Sequence, residues 1–542
     1  MVSGTITKRI TDSASVALRS PGRHIQSRYK CDRTERIAVI CTGHKRAALY
    51  LSPAQTAPHN EAMNTVVEAG FPLYHRVAGE LEAAIASGSL RTGDRLPSVR
   101  QLCQQHSVSV STVTLAYRWL ENRAIVEARP KSGYFVAARR ETLPEPEIDT
   151  RMSSAGFVTG DDITREFLLG ADDPLAAPSF CPNPARELLP EAKLRHIMAR
   201  VNRLHPEYAT RYQMMGSMAL RQEIARRSVN AGLRLRPEEI ILTNGGTEAL
   251  FLALRSVAKA GDTIALESPT YWMMLEIIRS LGMRSLEIPT HPREGISVEA
   301  LDFATQTPGA VRACVVIPNF QNPLGSLMPV ENKRRLVALA AERGFTLVET
   351  DIYGETHFGD DRPPVLKSFD TQDDVLLCSA FTKTVAPGYR IGWIAPGRHF
   401  RTTQSLKFHT SVTGALLQQE VLGEFIRDGG YDHHMRKLRA ALKHQSQQMA
   451  DAVARHFPAG CKLSRPQGGF MLWIEMPPQV DSHKVFEQAR REHIGVAPGA
   501  TFSCSSRFDH FIRVHYGEPW SAKLDAHIRR LGQIVAEQAD AG

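Results

Sequence analysis

Hydrophobic positions along the chain change their period part-way. From Tyr74 to Ser87 the apolar residues Val77, Leu81, Ala84 and Ile85 recur at three-to-four spacing, the mark of a helix with one buried face. Gly88 and Gly93 close that stretch. Ser98 stands where an N-cap belongs and predicts a short helix running to about His106. After a turn at Ser107-Val108-Ser109, Val113, Ala116, Tyr117 and Leu120 form a second helical stripe. Ser111, Thr112, Thr114 and Arg118 are left on its outer face. Two β-like pieces, Ile125–Ala128 and Tyr134–Val136, flank the basic turn Arg129-Pro130-Lys131-Ser132-Gly133. Beyond residue 168 short, almost continuously apolar runs take over: Ile240–Leu242, Thr263–Leu266, Ala313–Ile317, Thr346–Thr350 and Val375–Cys378. Such runs suit a parallel sheet buried on both faces. The helical stretches between them predict βα units wound around one sheet.

Three helices and a hairpin with a basic tip describe a winged helix-turn-helix. Its third helix would enter the major groove and its wing would touch the backbone. The plainer reading is a small three-helix unit with a solvated basic turn.

Composition sharpens this only in places. A chain of 542 residues is too long for one core. Its net charge of +9 allows a polyanionic partner without requiring one. The eight cysteines show no CxxC pair and no zinc-type spacing, so no metal site and a reduced, cytoplasmic setting are expected. No apolar stretch is long enough for a membrane span. Residues 1–66 are rich in Ser, Thr and Arg without sustained periodicity and are expected to be a disordered extension. Within them a transit peptide and a start at Met63 are the alternatives. Residues 67–138 form the head. Residues 139–166, rich in Pro, Glu, Ser and Gly, read as an extended, poorly packed linker. Residues 167–542 form the α/β body.

The candidate chemistry falls just past the apolar runs. The run Ser379-Ala380-Phe381-Thr382-Lys383-Thr384-Val385-Ala386-Pro387-Gly388-Tyr389-Arg390 puts an amine beside a hydroxyl, with a guanidinium across a Pro-Gly turn. An aldehyde cofactor bearing a phosphate, pyridoxal 5'-phosphate, needs those groups: the amine for a Schiff base, the others for the dianion. Its pyridine nitrogen needs a carboxylate, for which Asp351 is the candidate. Its phenolate oxygen needs donors, which Asn322 and Tyr353 can supply, and its ring face a flat partner, Tyr271. Thr243-Asn244-Gly245-Gly246-Thr247-Glu248 is a Gly-rich turn opening a helix, suited to the phosphate. Each piece alone has a duller explanation: a turn, a cap, a core aromatic, a surface lysine. Their order after successive strands is what a structural explanation lacks.

Leu96-Pro97-Ser98-Val99-Arg100, Val108–Val113 and the wing Ser132-Gly133-Tyr134-Phe135-Val136 resemble the GntR-type DNA-binding head. That resemblance implies double-stranded DNA as a partner. It implies contacts from Arg100, Ser111, Thr112, Thr114, Arg118, Lys131, Ser132 and Gly133. Val110 stands where many members carry an arginine, so that contact is lost. The body resembles the fold-type I aminotransferases. By that likeness Lys383 is the Schiff-base lysine and Asp351 the pyridine carboxylate. Asn322 and Tyr353 are the phenolate partners, and Tyr271 is the stacking ring. Gly246, Thr247, Thr382 and Arg390 hold phosphate, joined by Tyr212 from a second subunit, and Arg513 clamps a substrate carboxylate. Ala380 replaces a frequent serine, which removes one phosphate hydrogen bond.

Head and body together resemble the MocR-type regulators. This implies a homodimer, head-to-tail, whose body senses an amino acid or related amine through Lys383. Two rivals stay open: a working aminotransferase with an appended head, and a regulator of pyridoxal phosphate supply.

Overall fold

The structure, a computed structural model, describes residues 73–122, 125–129, 132–136, 143–147, 150–158 and 182–541. The chain divides into two compact units between Val136 and Ala137. Lys131, the extension at 1–66 and half of the expected linker lie outside the described residues.

In the first unit, α1 (Leu73–Ala86), α2 (Val99–His106) and α3 (Val110–Asn122) precede a hairpin of β1 (Val126–Arg129) and β2 (Gly133–Val136). The predicted stripes form the core: Val77, Ala78 and Leu81 meet Leu102, Val113, Ala116, Tyr117, Leu120, Val126 and Val136. Ser98 caps α2 in a capping box with Gln101, which satisfies donors that a helix start leaves orphaned. Tyr117 stacks on Tyr134 with ring centroids 4.0 Å apart and donates its hydroxyl to the Pro97 carbonyl. The third helix and the hairpin are thereby locked to one another. One feature was not legible: the segment before α2 pairs with the wing, through Leu96 N–H to the Tyr134 carbonyl at 2.8 Å and Gly93 N–H to the Val136 carbonyl at 2.9 Å.

The second unit is built on a nine-stranded sheet. Its strands are β3 (Gly156–Phe157), β4 (Ile241–Thr243), β5 (Thr263–Ser268), β6 (Arg284–His291), β7 (Gly295–Ile296), β8 (Ala313–Val316), β9 (Thr346–Thr350), β10 (Val375–Ala380) and β11 (Gly392–Ala395). They lie in the order β3-β6-β5-β8-β9-β10-β11-β4, with β7 on β6. Strands β5, β6, β8, β9 and β10 are parallel and every residue of β5, β8 and β9 is buried, as predicted from their unbroken apolar runs. The apolar runs suit a parallel sheet, but the sheet as a whole is mixed. Strand β11 runs antiparallel to both β10 and β4. Four residues directly after a Pro-Gly turn give too little pattern to reveal it. A second, antiparallel sheet of β12 (Lys462–Leu463), β13 (Met471–Glu475), β14 (Ala497–Pro498) and β15 (Phe511–His515) has the order β12-β13-β15-β14. The buried Trp473 ring packs on Phe502, Phe508 and Phe511 at 5.3, 6.0 and 5.3 Å, fixing β15 from behind.

The expected poorly packed linker also differs. Its described parts are extended but docked on the body. Glu145 pairs with Arg293 at 2.8 Å, Glu147 with Lys462 at 3.3 Å, and the Pro144 carbonyl accepts from Leu463 N–H at 2.8 Å. Gly156 and Phe157 extend the sheet edge against β6. Composition suggests a spacer. The same acidic residues find cations, and the same extended backbone finds an edge strand that needs covering.

Candidate cofactor site and nucleic-acid interface

The strands deliver the motif residues to one end of the sheet. Lys383 and Thr382 follow β10, Asp351 and Tyr353 follow β9, Asn322 follows β8, Tyr271 follows β5, and Gly246 follows β4. Lys383 is half-buried, and its Nζ donates to the Pro182 carbonyl at 2.8 Å and to Asn183 Oδ1 at 3.0 Å. Asn183 is a neighbour that sequence reasoning missed. Its segment is held by Ala185 N–H on the Gly517 carbonyl at 2.8 Å, two residues past the end of β15.

The phosphate candidates surround the start of the helix Gly246–Val257. Gly245 has φ +84°, and a Cβ there would lie 2.7 Å from Arg390 Nη2. Only glycine permits this approach of backbone and guanidinium. Arg390, itself left-handed at φ +52°, donates to the Asn244 carbonyl at 3.4 Å. The Thr382 hydroxyl is buried without a hydrogen-bond partner among the described residues. Thr247 is exposed on the first helical turn. The turn is anchored from beneath by Glu248. Glu248 accepts from Asn244 N–H at 2.6 Å and pairs with the buried Lys407 at 2.8 Å and with Ser411. Burial opposes the charge on Glu248, but Lys407 and Ser411 more than offset it and hold the carboxyl below its usual range. Gly392 presses on the same turn: a Cβ there would meet the Gly245 carbonyl oxygen at 2.6 Å. Gly392→Ala is expected to cost about 1–3 kcal/mol by overpacking and to weaken phosphate binding. Thermal unfolding and a cofactor titration check both effects, and an unchanged pair of values refutes this view of the turn.

Arg513 is fully buried on β15. Its Nη1 donates to Asn322 Oδ1 at 3.0 Å, its guanidinium lies 4.9 Å from the Phe502 ring, and Asn322 Nδ2 donates to the Tyr353 hydroxyl at 3.4 Å. The three predicted residues thus form one connected set. Next to them, burial, then Arg513 and Lys383, push the His515 imidazole down to about 4. Tyr271 stands at the N-cap position of the helix Trp272–Ser280 and meets the Trp272 ring edge-on at 5.9 Å. Tyr212 is 66 % exposed on the loop before the helix Met218–Ser228.

Asp351 is buried within a network that the sequence did not reveal. Its Oδ1 accepts from Asn319 Nδ2 at 2.8 Å and its Oδ2 from Arg362. Asn319 Oδ1 accepts in turn from the fully buried Lys333 at 2.6 Å. Arg362 also pairs with Glu355 at 3.1 Å. Glu355 lies 3.5 Å from Arg227, which reaches the surface residue Asp432 at 2.7 Å. Burial works against the Arg362 charge, but Asp351 and Glu355 more than offset it and raise the guanidinium's pKa. Both oxygens of Asp351 are therefore held by donors, which fixes its orientation.

These residues fit a pyridoxal-type phosphate ester. An orphaned hydroxyl, a glycine turn at a helix start and an arginine suit the dianion. The cations Lys383 and Arg513 converge near a neutral histidine.

In the head, Arg100, Ser111, Arg118, Ser132 and Gly133 are exposed, whereas Thr112 and Thr114 are half-buried. Gly133 has φ +103°, which turns the wing tip. Arg129 stacks over Phe135 at 4.3 Å and pairs with Glu127 at 2.6 Å.

Residues 179–531 match the family model described as Aminotransferase class I and II, and residues 73–136 that described as Bacterial regulatory proteins, gntR family. An HTH-type transcriptional regulator of Escherichia coli K12, YjiR, is 35% identical over 85% of this chain and 98% of its own. A second from the same strain, YdcR, is 34% identical over 86% and 99%. Among solved structures, the α-aminoadipate aminotransferase LysN of Thermus thermophilus, complexed with N-(5'-phosphopyridoxyl)-L-leucine, superimposes with a TM-score of 0.64. It is 27% identical, and the match covers 71% of this chain and 97% of that one. No helix among the described residues is long and apolar enough to cross a membrane.

Proposed function

The chain belongs to the HTH-type transcriptional regulators of the MocR type, which join a GntR head to an aminotransferase class I and II body, and from that premise we propose that its body senses an amino acid or related amine. The cofactor is pyridoxal 5'-phosphate. Bound, it supplies an aldehyde that condenses with primary amines and a ring that withdraws electrons. The chain's own residues do the rest. Lys383 presents the amine that an effector would displace. Asp351, oriented by Arg362 and Asn319, sets the ring nitrogen, while Asn322 and Tyr353 address the phenolate and Tyr271 the ring face. Gly246, Thr247, Thr382 and Arg390 hold the phosphate. Arg513 takes the effector's carboxylate in a bidentate grip.

The single observation carrying this reading is the fully buried Arg513, tied to the cofactor residue Asn322, a carboxylate clamp that a receptor for the cofactor alone would not need. The exposure of Tyr212 supports its service in a second subunit, and thus a homodimer. A head that binds chromosomal DNA through Arg100, Ser111, Thr112, Thr114, Arg118, Lys131, Ser132 and Gly133 supports a cytoplasmic site of action.

An effector shifts DNA binding only by preferring one of two conformations. Operator affinity of the cofactor-loaded protein is therefore expected to change about 5- to 150-fold when the right amino acid is added. Identical affinities across a full amino-acid panel, with and without cofactor, would refute sensing. The same set also suits a working aminotransferase. Steady turnover of an amino acid with a 2-oxo acid, without sequence-specific DNA binding, would favour that reading.

A further inference from the structure

The first turn of α3 presents an apolar surface, because its hydroxyls are engaged with one another. Ser109 Oγ lies 2.8 Å from Ser111 Oγ and 2.8 Å from Thr112 Oγ1, and it accepts from Thr112 N–H at 3.2 Å. Thr114 Oγ1 donates back to the Val110 carbonyl at 2.8 Å. Each bond draws a hydroxyl toward the helix's own backbone or cap, the local competition that short polar side chains are prone to. Two large groups remain turned outward: Val110, 61 % exposed, and Leu115, 48 % exposed. Neither joins the head's buried core. Between and beyond them on the same side stand Ser111 and Arg118.

We infer that Val110 and Leu115 read thymine C5-methyl groups in the major groove, so that the operator is specified in part by apolar contact. This rests on α3 being the helix that enters the groove. Thymine alone presents a methyl there, and it is the one base feature that an aliphatic side chain can recognise. Arg100 and Arg118, both exposed, remain for phosphate or guanine contacts, which do not depend on a thymine methyl.

The test uses duplexes selected from a random pool by the full-length, cofactor-loaded protein, with deoxyuridine then placed at each thymine in turn. Uracil keeps the pairing edge and removes only the methyl. At one or two positions per half-site affinity is expected to fall about fourfold, the worth of one buried methyl group. Val110→Ser or Leu115→Ser, neither of which leaves a methyl group at the position, is expected to erase the thymine preference there while the duplex is still bound. Arg118→Ala is expected to weaken thymine and uracil duplexes alike. Selected sites without thymine in the half-sites, or a preference that survives both Val110→Ser and Leu115→Ser, would overturn the inference while leaving DNA binding intact. Failure to select any duplex would overturn the DNA-binding reading, and this inference with it.

Discussion

Lys383→Ala is expected to leave the purified, cofactor-saturated protein without visible absorbance and without a covalent adduct after borohydride treatment. The change is all-or-none, because no other lysine lies between Thr382 and Arg390, where aldehyde and phosphate would sit together. The fold should survive. Lys383 is only half-buried, so water can replace its ammonium at the Pro182 carbonyl and Asn183 Oδ1, and the loss is held to about 1–2 kcal/mol each. Near-normal thermal unfolding beside a colourless protein is therefore the expected signature. A variant that still forms the reducible adduct would move the chemistry to another lysine, and the whole reading of the body with it.

Arg362→Met is expected to produce the largest loss of stability, about 3–5 kcal/mol, because it strips one partner from a buried pair and leaves the other charged. The loss is shared by two carboxylates. Asp351 keeps only Asn319, and Glu355 keeps only Arg227 at 3.5 Å. Denaturant unfolding reads the cost. Adding Asp351→Asn to Arg362→Met should recover part of it, since the amide no longer needs a cation. If the single variant unfolds at the wild-type midpoint, the pair contributes nothing. Arg362→Lys separates charge from geometry, for a single ammonium cannot reproduce a fork that serves both Asp351 and Glu355.

How much was legible follows from where the information sits along the chain. The parallel strands could be read because each is buried on both faces, so its pattern is local and unbroken. Lys383, Asp351, Tyr353, Tyr271 and Gly246 could be read because each lies within a few positions of such a strand, whereas Tyr212 and Arg513 do not and are named only by resemblance. The head could be read because its first and third helices show their stripes and Ser98 marks the start of the second. What escaped is non-local. Asn319 lies 32 residues from Asp351, and Glu248 lies 159 from Lys407. Periodicity carries no trace of such partnerships. Lys333 resembles any surface lysine of an amphipathic helix until the fold buries it against Asn319 and the Pro364 carbonyl. Residues 143–147 and 150–158 mislead for the opposite reason: their composition is that of a spacer, and only the neighbouring cations and a sheet edge make them part of the body.

The reversed strand β11 has a consequence for how this protein can change. Because β10 and β11 are neighbours joined by a hairpin, Ala380 faces Gly392, and both Lys383 and Arg390 ride on the connection between them. The interval works as a ruler. Inserting or deleting one residue there would either slide β11 by one place, turning Trp393 to the opposite face, or pull Arg390 away from the Gly245 turn. Length variation among descendants of this chain should therefore be tolerated in the helical crossovers and purged between positions 380 and 392.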